Sequence, residues 1–114
     1  MSSIDGTNDD ALDARLTAEQ SPRLAWFLAA YLHEDLAVEQ GSAAAAAWSY
    51  AAEAELDELG ELATEWDTLV EASQRWPLDR VNELLRTRFG SAWRATTAGE
   101  FEAVAFELHR ALRE

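Results

Sequence analysis

From Leu56 to Val70 the apolar residues Leu56, Leu59, Leu62, Ala63, Trp66, Leu69 and Val70 recur every three or four positions. That spacing places them on one stripe of an α-helix. The positions between them are mostly acidic: Asp57, Glu58, Glu61, Glu65, Asp67 and, just beyond, Glu71. Asp57, Glu61 and Glu65 are successive i,i+4 neighbours, so like charges repel along the helix by a few tenths of a kcal/mol per pair. No Lys or Arg in the same stretch relieves them. The pattern predicts a helix over about 55–74, with Gly60 a weak point inside it. On this reading, Glu61→Lys and Glu65→Lys together leave the free protein no less stable.

The same periodicity marks four more helices. Ser21 and Pro22 suit the cap and first position of a helix, whose inner stripe is Leu24, Phe27, Leu28, Tyr31 and Leu32, with Trp26 on the opposite side. Gly41-Ser42 restarts the chain into an alanine-rich helix to about residue 53, with Trp48, Ala51 and Ala52 expected to face inward. A kink near Ala54 is left open. Trp76-Pro77 ends the acidic helix, because the residue before proline is pushed out of the α region. Leu78, Val81, Leu84, Leu85 and Phe89 then form the next stripe, closed by Gly90. Thr97 and Glu100 fit a capping box for a last helix with Phe101, Val104, Ala105, Leu108 and Leu112 inward and Phe106 outward. No strand signal occurs. The fold class is therefore all-α, a compact bundle of about five short amphipathic helices. Residues 1–20 are polar and lack an apolar period. They read as a disordered or frayed acidic tail, with Leu12 and Leu16 forming at most a transient turn, before a single domain over 21–114.

Charge sharpens this picture. The net charge is -13, and residues 24–74 hold eleven acids with no Lys or Arg. Residues 75–114 hold six acids and seven Arg. Phosphates of nucleic acid or of an anionic membrane would be repelled, so neither is an expected partner. A basic protein is the complement. The chain has no cysteine, hence no disulfide or thiolate metal site. Two histidines are too few for most zinc sites, and no metal or cofactor is expected. No apolar run reaches the ~20 residues of a membrane span, and the acidic start does not read as a secretion signal. The expected location is the cytoplasm, and the expected state a monomer or weak homodimer.

Catalytic patterns are missing. There is no Gly-rich phosphate loop, G-x-S-x-G or HExxH, and neither His33 nor His109 lies near a plausible nucleophile in the sequence. The expectation is a protein that is not an enzyme. His33 and Asp35 are two apart and do not share a helix face, so a structural polar cluster closing the first helix outweighs an acid–base or metal pair.

The stretch Phe27–Leu36, FLAAYLHEDL, resembles a motif of a family of immunity proteins from contact-dependent growth inhibition systems. There an apolar-aromatic helix ends in Tyr-x-His-x-Asp, here Tyr31, His33 and Asp35. Ser42–Trp48, the acidic Leu56–Val70, Phe89-Gly90 with Trp93, and Phe101–Leu112 are similar to the elements that follow. The resemblance covers about residues 24–112. It implies a cytosolic protein that binds the toxic C-terminal domain of a cognate contact-delivered protein and neutralises it stoichiometrically. Many such toxins are nucleases with basic clefts, which would suit Asp57, Glu58, Glu61 and Glu65 as partner-binding residues. Tyr31, His33 and Asp35 are then motif residues that hold the fold. A different class fits the same charge pattern: an acidic helical regulatory or adaptor module that binds another basic cellular protein as a nucleic-acid mimic.

Overall fold

A computed structural model describes residues 10–32 and 42–113, and every regular element among them is helical. Helix α1 covers residues 10–15, α2 Pro22–Tyr31, α3 Ala43–Glu53, α4 Leu56–Arg75, α5 Leu78–Phe89 and α6 Gly99–Arg113. The all-α bundle predicted by periodicity is present, with one helix more than the pattern suggested. Packing follows the burial stripes. α6 lies along both α3 and α4, and α2 packs on α4 and α3.

The core is centred on α4. Leu59, Leu62, Ala63, Trp66 and Leu69 are buried on its inner stripe. The Trp66 ring meets Phe27 edge-on at 5.7 Å between centroids, and its indole N–H donates to the Phe101 carbonyl at 2.8 Å. A buried donor is thereby satisfied, and α4 is tied to α6. Leu56, expected on the same stripe, is 69% exposed. It is the first residue of the helix.

The boundary between α3 and α4 is sharp. Ala54 (φ -76°, ψ 150°) and Glu55 (φ -73°, ψ 156°) are both extended, so the two helices are separate. Ser42 caps α3, its hydroxyl accepting from the Ala45 N–H at 3.1 Å. The helix is rotated from the expected orientation. Ala43, Ala46, Ala47 and Tyr50 are buried, whereas Trp48 is exposed, Ala52 is exposed and Ala51 is half-buried. Alanines let α6 approach α3 closely, and the bulky Trp48 is left on the solvent side.

Of the expected tail, residues 1–9 lie outside the described residues, and residues 10–16 are not a frayed segment. Leu12 and Leu16 are fully buried members of the core. Arg88 of α5 pins this segment, donating to the Asp13 carbonyl at 3.0 Å and pairing with the Asp13 carboxylate at 2.9 Å. The Ser21 hydroxyl donates to the Arg15 carbonyl at 2.6 Å. Leu12 in α1 and Leu16 just beyond it are only two apolar positions in a polar background, too few to define a period, yet each contributes about 1.5–3 kcal/mol when buried.

The remaining turns follow local chemistry. Gly90 adopts the left-handed conformation at the end of α5 (φ 64°, ψ 26°), which glycine accepts without a Cβ penalty. The 91–98 loop is clipped to α5 by buried Asn82, whose amide donates to the Ala95 carbonyl and accepts from the Ala95 N–H, both at 2.9 Å. The Glu100 arm of the expected capping box is formed, its carboxylate accepting from the Thr97 N–H at 3.1 Å.

Candidate functional site: an acidic and aromatic face

The predicted acidic residues occupy the N-terminal half of α4, and the structure assigns them different surroundings. Asp57 is exposed in the first turn, where a carboxylate is favoured by the helix dipole. Glu58 accepts from the Glu55 N–H at 3.4 Å and from the Arg23 guanidinium at 3.4 Å. Glu61 accepts from Arg23 Nε at 3.0 Å. The like-charge row is therefore relieved from outside, by an arginine in the first turn of α2. Exposed pairs of this kind add little stability, but they fix the start of α2 against α4.

Glu65 has a structural task. Ser21 occupies the N-cap position of α2 but makes no side-chain cap bond. The Glu65 carboxylate does this instead, accepting from the Leu24 N–H at 2.7 Å. A charge-assisted bond to an orphan N–H at a helix start is strong for its type. Burial pushes the Glu65 carboxyl above its ordinary pKa, and the nearby Glu61 charge adds to this. The backbone N–H groups of Leu24 and Arg23 and the Arg23 charge pull the other way without reversing it. The expectation that Glu61→Lys and Glu65→Lys leave the fold no weaker is thus corrected. Glu65→Lys removes the cap of α2, and Glu61→Lys sets a cation against Arg23.

Beside these acids lies an open cavity of about 380 Å³, lined by Arg23, Trp26, Tyr31, Tyr50, Glu53, Ala54 and Glu58. Three aromatic rings form its walls. Tyr31 and Tyr50 meet edge-to-face at 5.5 Å, and Trp26 stands 5.8 Å from Tyr31 and 5.9 Å from Tyr50. Trp26 is 53% exposed. The Tyr31 hydroxyl donates to Glu53 Oε1 at 3.2 Å. Burial, followed by that hydrogen bond, raises the Tyr31 pKa, so the hydroxyl remains a donor. Burial and the Glu58 charge likewise raise Tyr50.

Of the motif residues, Tyr31 is brought into this cavity. His33 and Asp35 lie outside the described residues. Arg23, Tyr50 and Glu53 complete the site without having been singled out in the sequence. Tyr50 was legible in principle, since Ala43, Ala46, Ala47 and Tyr50 share one helical stripe. Arg23 was not, because its partners lie 35 and 38 residues away.

Among the described residues no cluster of three or more His, Asp or Glu is arranged to hold a metal ion. No helix among them is long and apolar enough to cross a membrane. Comparison with protein families, curated proteins and solved structures finds no match for this chain.

Proposed function

We propose that this chain is an immunity protein that binds and neutralises the toxic C-terminal domain of a cognate contact-delivered protein, acting in the cytoplasm by occupancy and without a reaction of its own. The observation that carries the reading is the joined acidic and aromatic face. At the start of α4, Glu58 lines one cavity with Glu53 and the half-exposed ring of Trp26, Glu61 shares Arg23 with Glu58, and Asp57 is exposed next to Glu58 in the chain. The one arginine lining the adjoining cavity is already engaged by two of these carboxylates. Such a surface attracts a basic partner over distance and offers an aromatic anchor on contact. The Phe27–Leu36 motif, FLAAYLHEDL, supports the same assignment through its resemblance to growth-inhibition immunity proteins.

The test is to search beside the coding sequence for a large exoprotein and co-express its C-terminal domain with this chain, scoring survival and co-purification; absence of any such neighbour would count against the proposal. Survival with a stoichiometric complex is expected. Toxicity undiminished by the chain, with no complex, would overturn the proposal, as would capture of a host DNA-binding protein in place of the toxin domain.

A further inference from the structure

We infer that the cavity between α2, α3 and the start of α4 is a receptor for one arginine side chain of the basic partner, an inference that rests on the toxin-binding reading above. The rings of Trp26, Tyr31 and Tyr50 stand at interplanar angles of 56° to 88° with centroids 5.5–5.9 Å apart. They therefore present faces and edges around one volume instead of stacking it shut. Glu53 and Glu58 add carboxylates to the rim. Aromatic faces with nearby acids are the surroundings that favour a cation, through the ring quadrupole and direct charge. An anion is disfavoured: the lining cation, Arg23, points Nε at Glu61 (3.0 Å) and one terminal nitrogen at Glu58 (3.4 Å).

Glu53 is the group on which selectivity turns. Among the described residues no Arg or His pairs with it, and its bond from the Tyr31 hydroxyl uses one oxygen, Oε1. The carboxylate can therefore still accept a donor from the cavity side. A guanidinium suits the site better than an ammonium, because it is planar, weakly hydrated and able to stack on an indole while donating in its plane. A purely apolar side chain would cover Glu53 and the Tyr31 hydroxyl without giving them a partner, at a desolvation cost.

The test uses the full chain and two small probes of nearly equal shape, N-acetyl-arginine methylamide and its uncharged analogue N-acetyl-citrulline methylamide. Binding is read from the indole N–H and tyrosine ring signals by NMR. Saturable shifts at Trp26, Tyr31 and Tyr50 are expected with the arginine probe and not with citrulline. Glu53→Gln, which keeps the side-chain shape, should weaken the arginine probe roughly five-fold. Trp26→Leu should do the same, and since Trp26 is half in solvent its melting curve should stay near wild type. Equal binding of citrulline, no saturable shift in the cavity, or arginine binding unaffected in both variants would overturn the inference. These results are separable from the co-expression test. Toxin neutralisation with no arginine binding would reject the cavity and retain the immunity role; arginine binding with no neutralisation would do the reverse.

Discussion

Glu65 shows how one residue in a charged row can carry a load that its neighbours do not. Its carboxylate stands in for the unused Ser21 cap at the start of α2. Loss of a helix cap costs about 0.5–2 kcal/mol, so Glu65→Ala should lower stability by about that amount in chemical denaturation. Its pH behaviour has a definite sign. Because burial raises the folded-state pKa, stability from this group is full below the ordinary carboxylate value and declines as pH rises through the raised one. Glu65→Gln retains an acceptor oxygen and should flatten that decline. Glu100 behaves oppositely. Burial raises its pKa, but the Thr96 hydroxyl and the N–H groups of Thr96 and Thr97 outweigh burial and leave it lowered. Its contribution is present above the ordinary carboxylate value and lost as pH falls through the lowered one, so Glu100→Gln should remove stability near neutrality and little in acid. Denaturation midpoints of both variants across the acidic range check the two signs.

At the scale of elements, helix identity was legible and helix orientation only partly so. The long stripes of α4, α5 and α6 place Leu59, Leu62, Ala63, Trp66, Leu69, Val81, Leu84, Leu85, Phe101, Val104 and Leu108 in the core, while Val70, Leu78, Phe89, Ala105 and Leu112 on the same stripes are only partly buried and Thr68, Ala72 and Asn82 are buried beside them. Alanine-rich α3 has little contrast between faces, so its rotation is set by the close fit of Ala46 and Ala47 within the core, and Trp48 faces outward. The segment over residues 10–16 departs from its sequence pattern for a related reason. Leu12 and Leu16 join a core whose other members are distant in sequence, and Arg88 bonds the Asp13 and Leu16 carbonyls beside them. Likewise the acidic row looked unrelieved until Arg23 was placed beside it by tertiary packing. Leu16 is the sharpest check. Leu16→Ala should destabilise the protein by about 2–5 kcal/mol through lost burial and a cavity, lowering the thermal midpoint by roughly 10 °C or more. A midpoint within a degree of wild type would detach this segment from the core.

For the whole molecule, charge is divided: residues 24–74 are purely acidic, while residues 75–114 carry seven arginines against six acids. Under the proposed function, a basic partner would meet the acidic and aromatic face at the start of α4. Glu58, Glu61 and Glu65 hold the start of α2 against α4, so they are poor probes of the proposed docking alone. Asp57 is exposed, and reversing it forfeits only a dipole contribution of about 0.3–1 kcal/mol. The most direct measurement is therefore the association rate of the full chain with the toxin domain, for wild type and Asp57→Lys, at low salt and at physiological salt, where the Debye length is about 8 Å. The wild-type rate should fall as salt rises. Asp57→Lys should associate more slowly than wild type at low salt and approach it at high salt, with a melting curve close to wild type. Identical rates for the two proteins, unchanged by salt, would contradict docking through this face.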